Sequence, residues 1–166
     1  LRGAGIDPAS IAATATGTMA QNVAALAAGD VDVIQVFQPY AEELIESGRG
    51  HLWQAAASRG LTSYTSLNTT RAFLEREPQT ALAMTRAMHR TLAWIATHDG
   101  RQLAEAVGRY FEAIPAARLA ACFDRYKALG LYNRDPVFRR EGVERLREAM
   151  LAAGFIRSGI AFEECV

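Results

Sequence analysis

The sequence predicts an α/β fold whose C-terminal half is rich in helix. Before about residue 60, short segments rich in β-branched residues alternate with helical patterns, an order typical of parallel βαβ units. From Thr70 onward nearly every segment has helical periodicity, and several of these segments begin at a Pro or end at a Gly. Half of the residues are apolar, which is enough for a sizeable core.

The chain opens on a pattern that is typical of the end of a helix. In "LRGAGID" the last helical turn would close on one of the two glycines. A helix end needs a helix before it, so we expect further sequence N-terminal to Leu1. The dipeptide Asp7-Pro8 then predicts a turn, and Ser10–Thr16 predicts a short strand that ends at Gly17.

The next segment predicts a helix, a strand and a second helix. Thr18–Gly29 has apolar residues at helical spacing and closes on a Gly, the residue that most often stops a helix. Val31–Phe37 is short and rich in β-branched residues, so we predict a buried strand. Pro39 suits the first turn of a helix, which we place at Tyr40–Ser47.

The segments that follow are extended first and helical afterwards. His51–Ser58 predicts another strand, and Leu61–Thr70 predicts a longer extended segment. The helical patterns are "PQTALAMTRAMHRTLAWIATHD", "GRQLAEAVGRYF", Pro115–Gly130 and Pro136–Gly154. The first of them carries an apolar stripe on one face, formed by Ala81, Met84, Met88, Leu92 and Ile95. We expect such faces to be buried, either against one another or against a sheet.

Composition excludes several classes of function. Lys and Arg together number 18, as do Asp and Glu, so no net charge attracts the chain to nucleic acid. No uncharged apolar run is long enough to cross a bilayer. Motifs of nucleotide, phosphate, serine-hydrolase and zinc-protease sites are absent, and neither Cys122 nor Cys165 has a second ligand at metal spacing. We therefore expect no catalytic residue, no metal and no cofactor.

The two cysteines are far apart in the sequence. We favour one buried thiol, Cys122, and one exposed thiol near the C-terminus, Cys165. A disulfide between them stays open as an alternative if the protein is exported.

Two sets of residues follow the predicted strands, where parallel sheets bind ligands. In the first set, backbone N–H groups and a hydroxyl at the start of a helix could hold a polar or anionic group. In the second set, an amide stands between aromatic surfaces. The first set is Gly17 and Thr18, and the second is Phe37, Gln38, Pro39 and Tyr40. Each set also has a simpler interpretation, as a helix cap or as a helix start with a surface tyrosine.

A third candidate lies on the extended segment Leu61–Thr70. Tyr64, Ser66 and Asn68 alternate along the segment and so share a face. We predict that this face lines a cleft if the segment crosses between two domains. If it does not cross, the face is the polar side of an ordinary strand.

Three short motifs resemble a known family of binding proteins. They are "GIDP" (residues 5–8), "ALAAGDVDV" (residues 25–33) and Gln38-Pro39, which stands where that family often has Glu-Pro. The pattern is similar to the second lobe of the periplasmic solute-binding proteins of the NMT1/THI5-like family, which serve nitrate, sulfonates, taurine and thiamine precursors. The segment "FLEREPQTALAMTRAMHRTLAWIATHD" is similar to the part of that family that returns to the first lobe.

The resemblance implies a periplasmic-binding-protein-like, type II fold with two lobes, of which this chain holds a part. Residues 1–62 would form the second α/β lobe, incomplete at its N-terminus, and residues 63–166 the crossover segment and the helical portion of the first lobe. It also implies capture of a small solute, delivery to the membrane subunits of an ABC permease, a periplasmic location reached with a signal peptide outside this chain, and a monomer when complete.

The same resemblance implies roles for individual residues. Gly17 and Thr18 match the family's ligand-facing loop, Gln38 and Pro39 match its Glu-Pro position, and Tyr64 lies on its crossover segment. Gln in place of Glu removes a negative charge at position 38. We therefore do not expect residue 38 to hold a cationic ligand. The alternatives are a thiamine-pyrimidine synthase-like enzyme or a ligand-sensing domain of the same fold.

Overall fold

The computed structural model describes residues 5–14 and 17–165. Within them the regular elements are helices. The α-helices are α1 (Met19–Ala28), α2 (Tyr40–Glu46), α3 (Arg71–Arg76), α4 (Pro78–Thr97), α5 (Gly100–Val107), α6 (Ala116–Ala128), α7 (Arg140–Ala152) and α8 (Phe162–Cys165). Short 3₁₀ turns cover Pro8–Ser10, Ala56–Arg59 and Gly108–Tyr110.

The predicted α/β, type II two-lobe fold is wrong for this structure, because no described segment pairs as a β-strand. Val31–Phe37 is the clearest case, since it connects α1 to α2 without a neighbouring strand, with Val33 61% and Phe37 51% exposed. β-branched residues favour a strand only where a second strand pairs with the backbone and a layer covers the side chains. The sequence pattern shows that these side chains favour a strand, but it does not show whether a second strand is present to pair with them.

The other predicted strands have local explanations. Asp7 accepts a hydrogen bond from the Ala9 N–H (3.0 Å), so the Asp7-Pro8 turn is confirmed and the first residue of the predicted strand Ser10–Thr16 belongs to a 3₁₀ turn. The last two residues of that strand lie outside the described residues, as do the first four residues of the predicted N-terminal helix end. The predicted strand His51–Ser58 ends in the turn Ala56–Arg59.

The helix predictions are largely confirmed. One difference is α7, which begins at Arg140 and not at Pro136. The Asp135 carboxylate accepts hydrogen bonds from the Val137 N–H (3.0 Å) and from the Arg139 guanidinium (2.6 Å). These bonds hold a turn just where the helix would otherwise start, since short acidic side chains compete with helical hydrogen bonding.

The chain divides into two compact units, Leu1–Leu52 and Trp53–Val166. In the first unit α1 packs on α2, and Leu44 is buried. A Cβ added at Gly50 would lie 3.2 Å from the Leu44 Cβ and 3.5 Å from the Leu26 Cδ2, so the chain after α2 passes close to both helices. This small apolar core positions the start of α2. The lobe assignment of residues 1–62 and 63–166 stays a prediction.

The core of the second unit lies between α5 and α6. Its buried members are Leu103, Ala104, Leu119 and Cys122. The Gly100 N–H donates to the Asp124 Oδ1 (2.7 Å), so the start of α5 meets the second half of α6 and the two helices run antiparallel. Lys127 extends from the end of α6 and donates to the Ile95 carbonyl (2.8 Å) and to the His98 carbonyl. The ammonium group thereby satisfies carbonyls at the C-terminus of α4.

The long helix α4 forms as its apolar stripe predicts, but the stripe is not buried as we expected. No residue of α4 is buried, and Met84 is 56% exposed. The expectation that its apolar face is covered is therefore not met within the described residues. None of the described helices combines the length and the apolar character that crossing a bilayer requires.

The segment before α3 and the last helix both pack on α7. The Arg145 Nε donates to the Leu61 carbonyl (2.8 Å), and the Ser63 N–H donates to the Gly142 carbonyl (3.0 Å). At the C-terminus, Arg140 pairs with Glu163 and its guanidinium lies 4.7 Å from the Phe162 ring centroid. Cys122 is buried and Cys165 is exposed, and no disulfide joins them, which confirms the favoured assignment.

Tyr132 should make the second unit less stable at high pH. Burial, together with the charges that Tyr126 and Cys122 acquire on ionisation, raises the pKa of Tyr132 to about 12 from 10.0. Because the unfolded chain loses this proton first, the stabilisation is complete below pH 10 and is lost as the pH rises toward 12. Two pH units correspond to about 2.7 kcal/mol, and half-exposure reduces the expected loss to about 1 kcal/mol. Urea unfolding at several pH values should show a steeper alkaline loss in the wild type than in Tyr132→Phe; parallel curves would contradict this.

Candidate functional site

The start of α2 joins the side chains of Gln38 and Glu42. The Gln38 Oε1 accepts from the Glu42 backbone N–H (3.0 Å), and the Gln38 Nε2 donates to the Glu42 Oε2 (3.1 Å). Glu42 is only 5% exposed, while Gln38 is half-buried. Both ends of the Gln38 amide therefore bind one buried glutamate. Glu42 is not among the residues predicted from the sequence, although its four-residue spacing from Gln38 was a usable signal.

The other residues of the second predicted set are neighbours of Gln38 in the sequence. Phe37 is 51% exposed, Tyr40 is half-buried as the first residue of α2, and Pro39 stands at the N-cap position after a cis peptide bond. An aromatic residue thus comes before and after the hydrogen-bonded amide in the sequence. Such a surface can stack on a planar solute or hydrogen-bond a polar one.

The first predicted set, Gly17 and Thr18, forms the N-terminus of α1. The Thr18 Oγ1 accepts from the Gln21 N–H (3.2 Å), and the Thr18 N–H donates to the Gln21 Oε1 (2.8 Å). This arrangement is a capping box, which satisfies two backbone groups of the helix start. The groups that were predicted to hold a ligand at Thr18 thus bind Gln21 here, and the ligand role of this set stays a prediction.

We expect Thr18→Ala to destabilise the first unit by about 1 kcal/mol, because the capping box loses its hydroxyl acceptor. Thr18→Ser keeps an acceptor and serves as the matched control, with a loss of no more than a few tenths of a kcal/mol. Thermal melts followed by circular dichroism measure both. If Thr18→Ala melts at the same temperature as the wild type, the hydroxyl does not stabilise the helix start.

Tyr64 belongs to the second unit and is 79% exposed. Its predicted neighbours on one face, Ser66 and Asn68, are joined by a hydrogen bond from the Asn68 Nδ2 to the Ser66 Oγ (3.4 Å). Nothing in these contacts assigns a ligand to this face, so the role of Tyr64 also stays a prediction.

The described part of the chain offers no evident metal site. Among the residues that the structure describes, no cluster of three His, Cys, Asp or Glu side chains has that geometry. His89 lies on an open groove along α4 with Arg86, Arg90 and Ala93. This open groove is lined by a single helix and includes no residue of the two predicted sets.

Comparison with known proteins decides the family. The model of the NMT1-like family matches residues 1–108, which include both predicted sets and Tyr64. The chain belongs to the NMT1-like family. This confirms the resemblance inferred from "GIDP", "ALAAGDVDV" and Gln38-Pro39, and it places the Gln38–Glu42 pair within the part of the chain that the NMT1-like family shares.

One curated relative adds information on the kind of protein. The chain is 24% identical over 143 residues to a Bacillus subtilis (strain 168) protein named "Putative binding protein YtlA". The match covers 86% of this chain and 43% of that relative, so the chain spans less than half of the relative's length. No solved structure matches the chain.

Proposed function

We propose that this chain is the substrate-binding component of an ABC importer, which captures a small solute outside the cytoplasm and delivers it to a membrane permease. The observation that carries the proposal is membership of the NMT1-like family over residues 1–108. The name of the Bacillus subtilis relative, which describes a binding protein, supports binding over catalysis. The solute classes proposed are a sulfonate, a nitrate-like oxyanion or a pyrimidine of the thiamine-precursor type.

The proposed binding surface is the start of α2. Phe37 and Tyr40 supply aromatic area, and the Gln38 amide supplies directional hydrogen bonds from a fixed position. Small-molecule sites typically combine an apolar surface with a few polar groups held in place. A pre-positioned amide also reduces the entropy that binding has to overcome.

A thermal-shift screen tests the proposal. The protein is melted with taurine, methanesulfonate, nitrate, bicarbonate, pyrimidines and polyamines, one at a time. A solute at 100 times its Kd stabilises the native state by about 2.7 kcal/mol, which a melting curve resolves easily. If no solute class raises the melting temperature, the transport proposal loses its support.

Two variants then test the location of the site. We expect Gln38→Ala and Tyr40→Ala each to reduce the solute-induced shift by at least half, because each removes a proposed contact. Arg49→Ala, an exposed position just after α2, is the control and should keep the full shift. Full shifts in both site variants would show that the solute binds elsewhere.

A further inference from the structure

The apolar stripe of α4 lies at the surface, although it has the composition of a buried face. Met84 is 56% and Met88 is 36% exposed, and the other three members of the stripe are half-buried. The C-terminal end of the helix is anchored to α6, because Lys127 donates hydrogen bonds to two carbonyls there. Within the described residues, an anchored helix therefore presents an apolar stripe that is only partly covered.

The exposed surface of the whole chain is also larger than a folded monomer of this mass should have. The chain exposes 12671 Å². A folded monomer of 18.0 kDa exposes about 8,000 Å², and two separate domains that divide this mass at residue 52 expose about 9,600 Å². The surplus of at least about 3,000 Å² exceeds the area of about 800 Å² that each partner contributes to a standard interface. The chain thus has enough uncovered surface for a stable interface with a second polypeptide.

The spacing of the stripe is symmetric about Met88. Met84 and Leu92 lie four residues on either side of Met88, and Ala81 and Ile95 lie seven residues on either side. Two antiparallel copies of α4 that cross at Met88 would therefore pair this residue with its own copy. Each stripe residue before it would face the stripe residue equally far after it. Such self-matching is what a two-fold interface between identical subunits requires, and steps of three and four residues suit paired helices.

The charges of α4 permit the same pairing. The helix contains no Asp or Glu, and Arg86 and Arg90 lie about 160° around its axis from Met88. Together with His89, these two arginines line the open groove on α4. Two copies of the stripe can therefore meet without bringing like charges together, which would oppose association.

We propose that the stripe of α4 is a homodimer interface, where two copies of this chain pair their α4 helices antiparallel across a two-fold axis at Met88. Burial of the stripe on both copies supplies the driving force. Methionine suits such a contact, because its unbranched side chain adapts to the opposing surface. The proposal does not depend on solute binding. It departs from the family resemblance, which implies a monomer when the protein is complete.

Sedimentation velocity of the whole chain over about 1–100 μM tests the pairing, because the dimer population rises with protomer concentration. We expect a species of about 36 kDa, twice the 18.0 kDa of one chain. Met88→Lys should weaken the dimer at least about 30-fold, since two ammonium groups would face each other where water is excluded. The control Ala83→Lys adds the same charge about 140° away around α4, and should change the dissociation constant by less than about threefold.

Cysteine cross-linking tests the two-fold axis itself. In a Cys165→Ser background, which lacks the exposed thiol, Met88→Cys should form a covalent dimer on oxidation and Ala83→Cys should not. A disulfide requires the two Cα atoms to lie within about 7 Å, which only residues at the helix crossing satisfy.

Two kinds of result would overturn the proposal. A wild type that stays monomeric, or that forms aggregates without a discrete dimer, would leave the stripe to a different partner. A dimer that persists in Met88→Lys, or that Met88→Cys does not link, would show that the two copies meet elsewhere. If circular dichroism shows that Met88→Lys does not fold, the cross-linking comparison decides.

Discussion

Gly100→Ala should lower the free energy of unfolding of the second unit by about 3 kcal/mol. A Cβ at residue 100 would lie 2.2 Å from the Ala120 carbonyl oxygen and 2.6 Å from the Asp124 Cγ. The carbonyl belongs to the backbone of α6 and cannot move alone, so the two helices would have to separate. Overpacking of this kind costs about 1–3 kcal/mol and occasionally more. The change would also disturb the 2.7 Å hydrogen bond from the Gly100 N–H to Asp124.

Gly108→Ala is the matched control for this prediction. Gly108 has a helical backbone conformation (φ −52°, ψ −34°), and apart from its own chain neighbours and local helix backbone nothing lies within 4 Å of the Cβ that alanine would add. Alanine at such a position should stabilise the protein by about 0.5 kcal/mol, because it restricts the unfolded chain. Urea unfolding at neutral pH compares the two variants. Equal stability of the two alanine variants would show that α5 and α6 do not approach at Gly100 as described.

Leu44→Ala should have the largest effect in the first unit. Leu44 is 5% exposed and lies against Gly50, where Leu26 also approaches. Truncation of a buried leucine costs about 2–5 kcal/mol, since transfer free energy is lost and a cavity is left. Hydrogen exchange followed by mass spectrometry should show the amides of α1 and α2 exchanging about 30-fold faster or more, which corresponds to about 2 kcal/mol.

Leu52→Ala is the control for that change. Leu52 lies in the same unit, but it is 46% exposed, so its truncation should cost well under 1 kcal/mol. Exchange in α1 and α2 that responds equally to both substitutions would mean that Leu44 is not the core of this unit.

Local signals in the sequence predicted the helices well. The Thr18 cap, the left-handed Gly29 after α1 and the Pro at the start of α4 each act within one helical turn, so the residues that decide the structure are adjacent in the sequence. The same locality explains why the resemblance could be found in short motifs such as "ALAAGDVDV".

The strands could not be predicted in the same way. Val31–Phe37 has the composition of a strand, but a strand also requires a second backbone, which no local pattern guarantees. The turn at Asp135, which delays α7, depends on two hydrogen bonds of one carboxylate. Glu42 was missed for a similar reason: its contact with Gln38 is local, but its burial depends on tertiary packing that the sequence does not show.

NMR titration can show directly whether a small solute binds at the start of α2. The ¹⁵N-labelled protein is titrated with the solute that gives the largest thermal shift, and chemical-shift changes are followed residue by residue. If a solute binds there, the largest changes should fall on the backbone amides of Phe37, Gln38 and Tyr40 and on the Gln38 side-chain amide. Changes confined to α4–α7, with those amides unmoved, would contradict it.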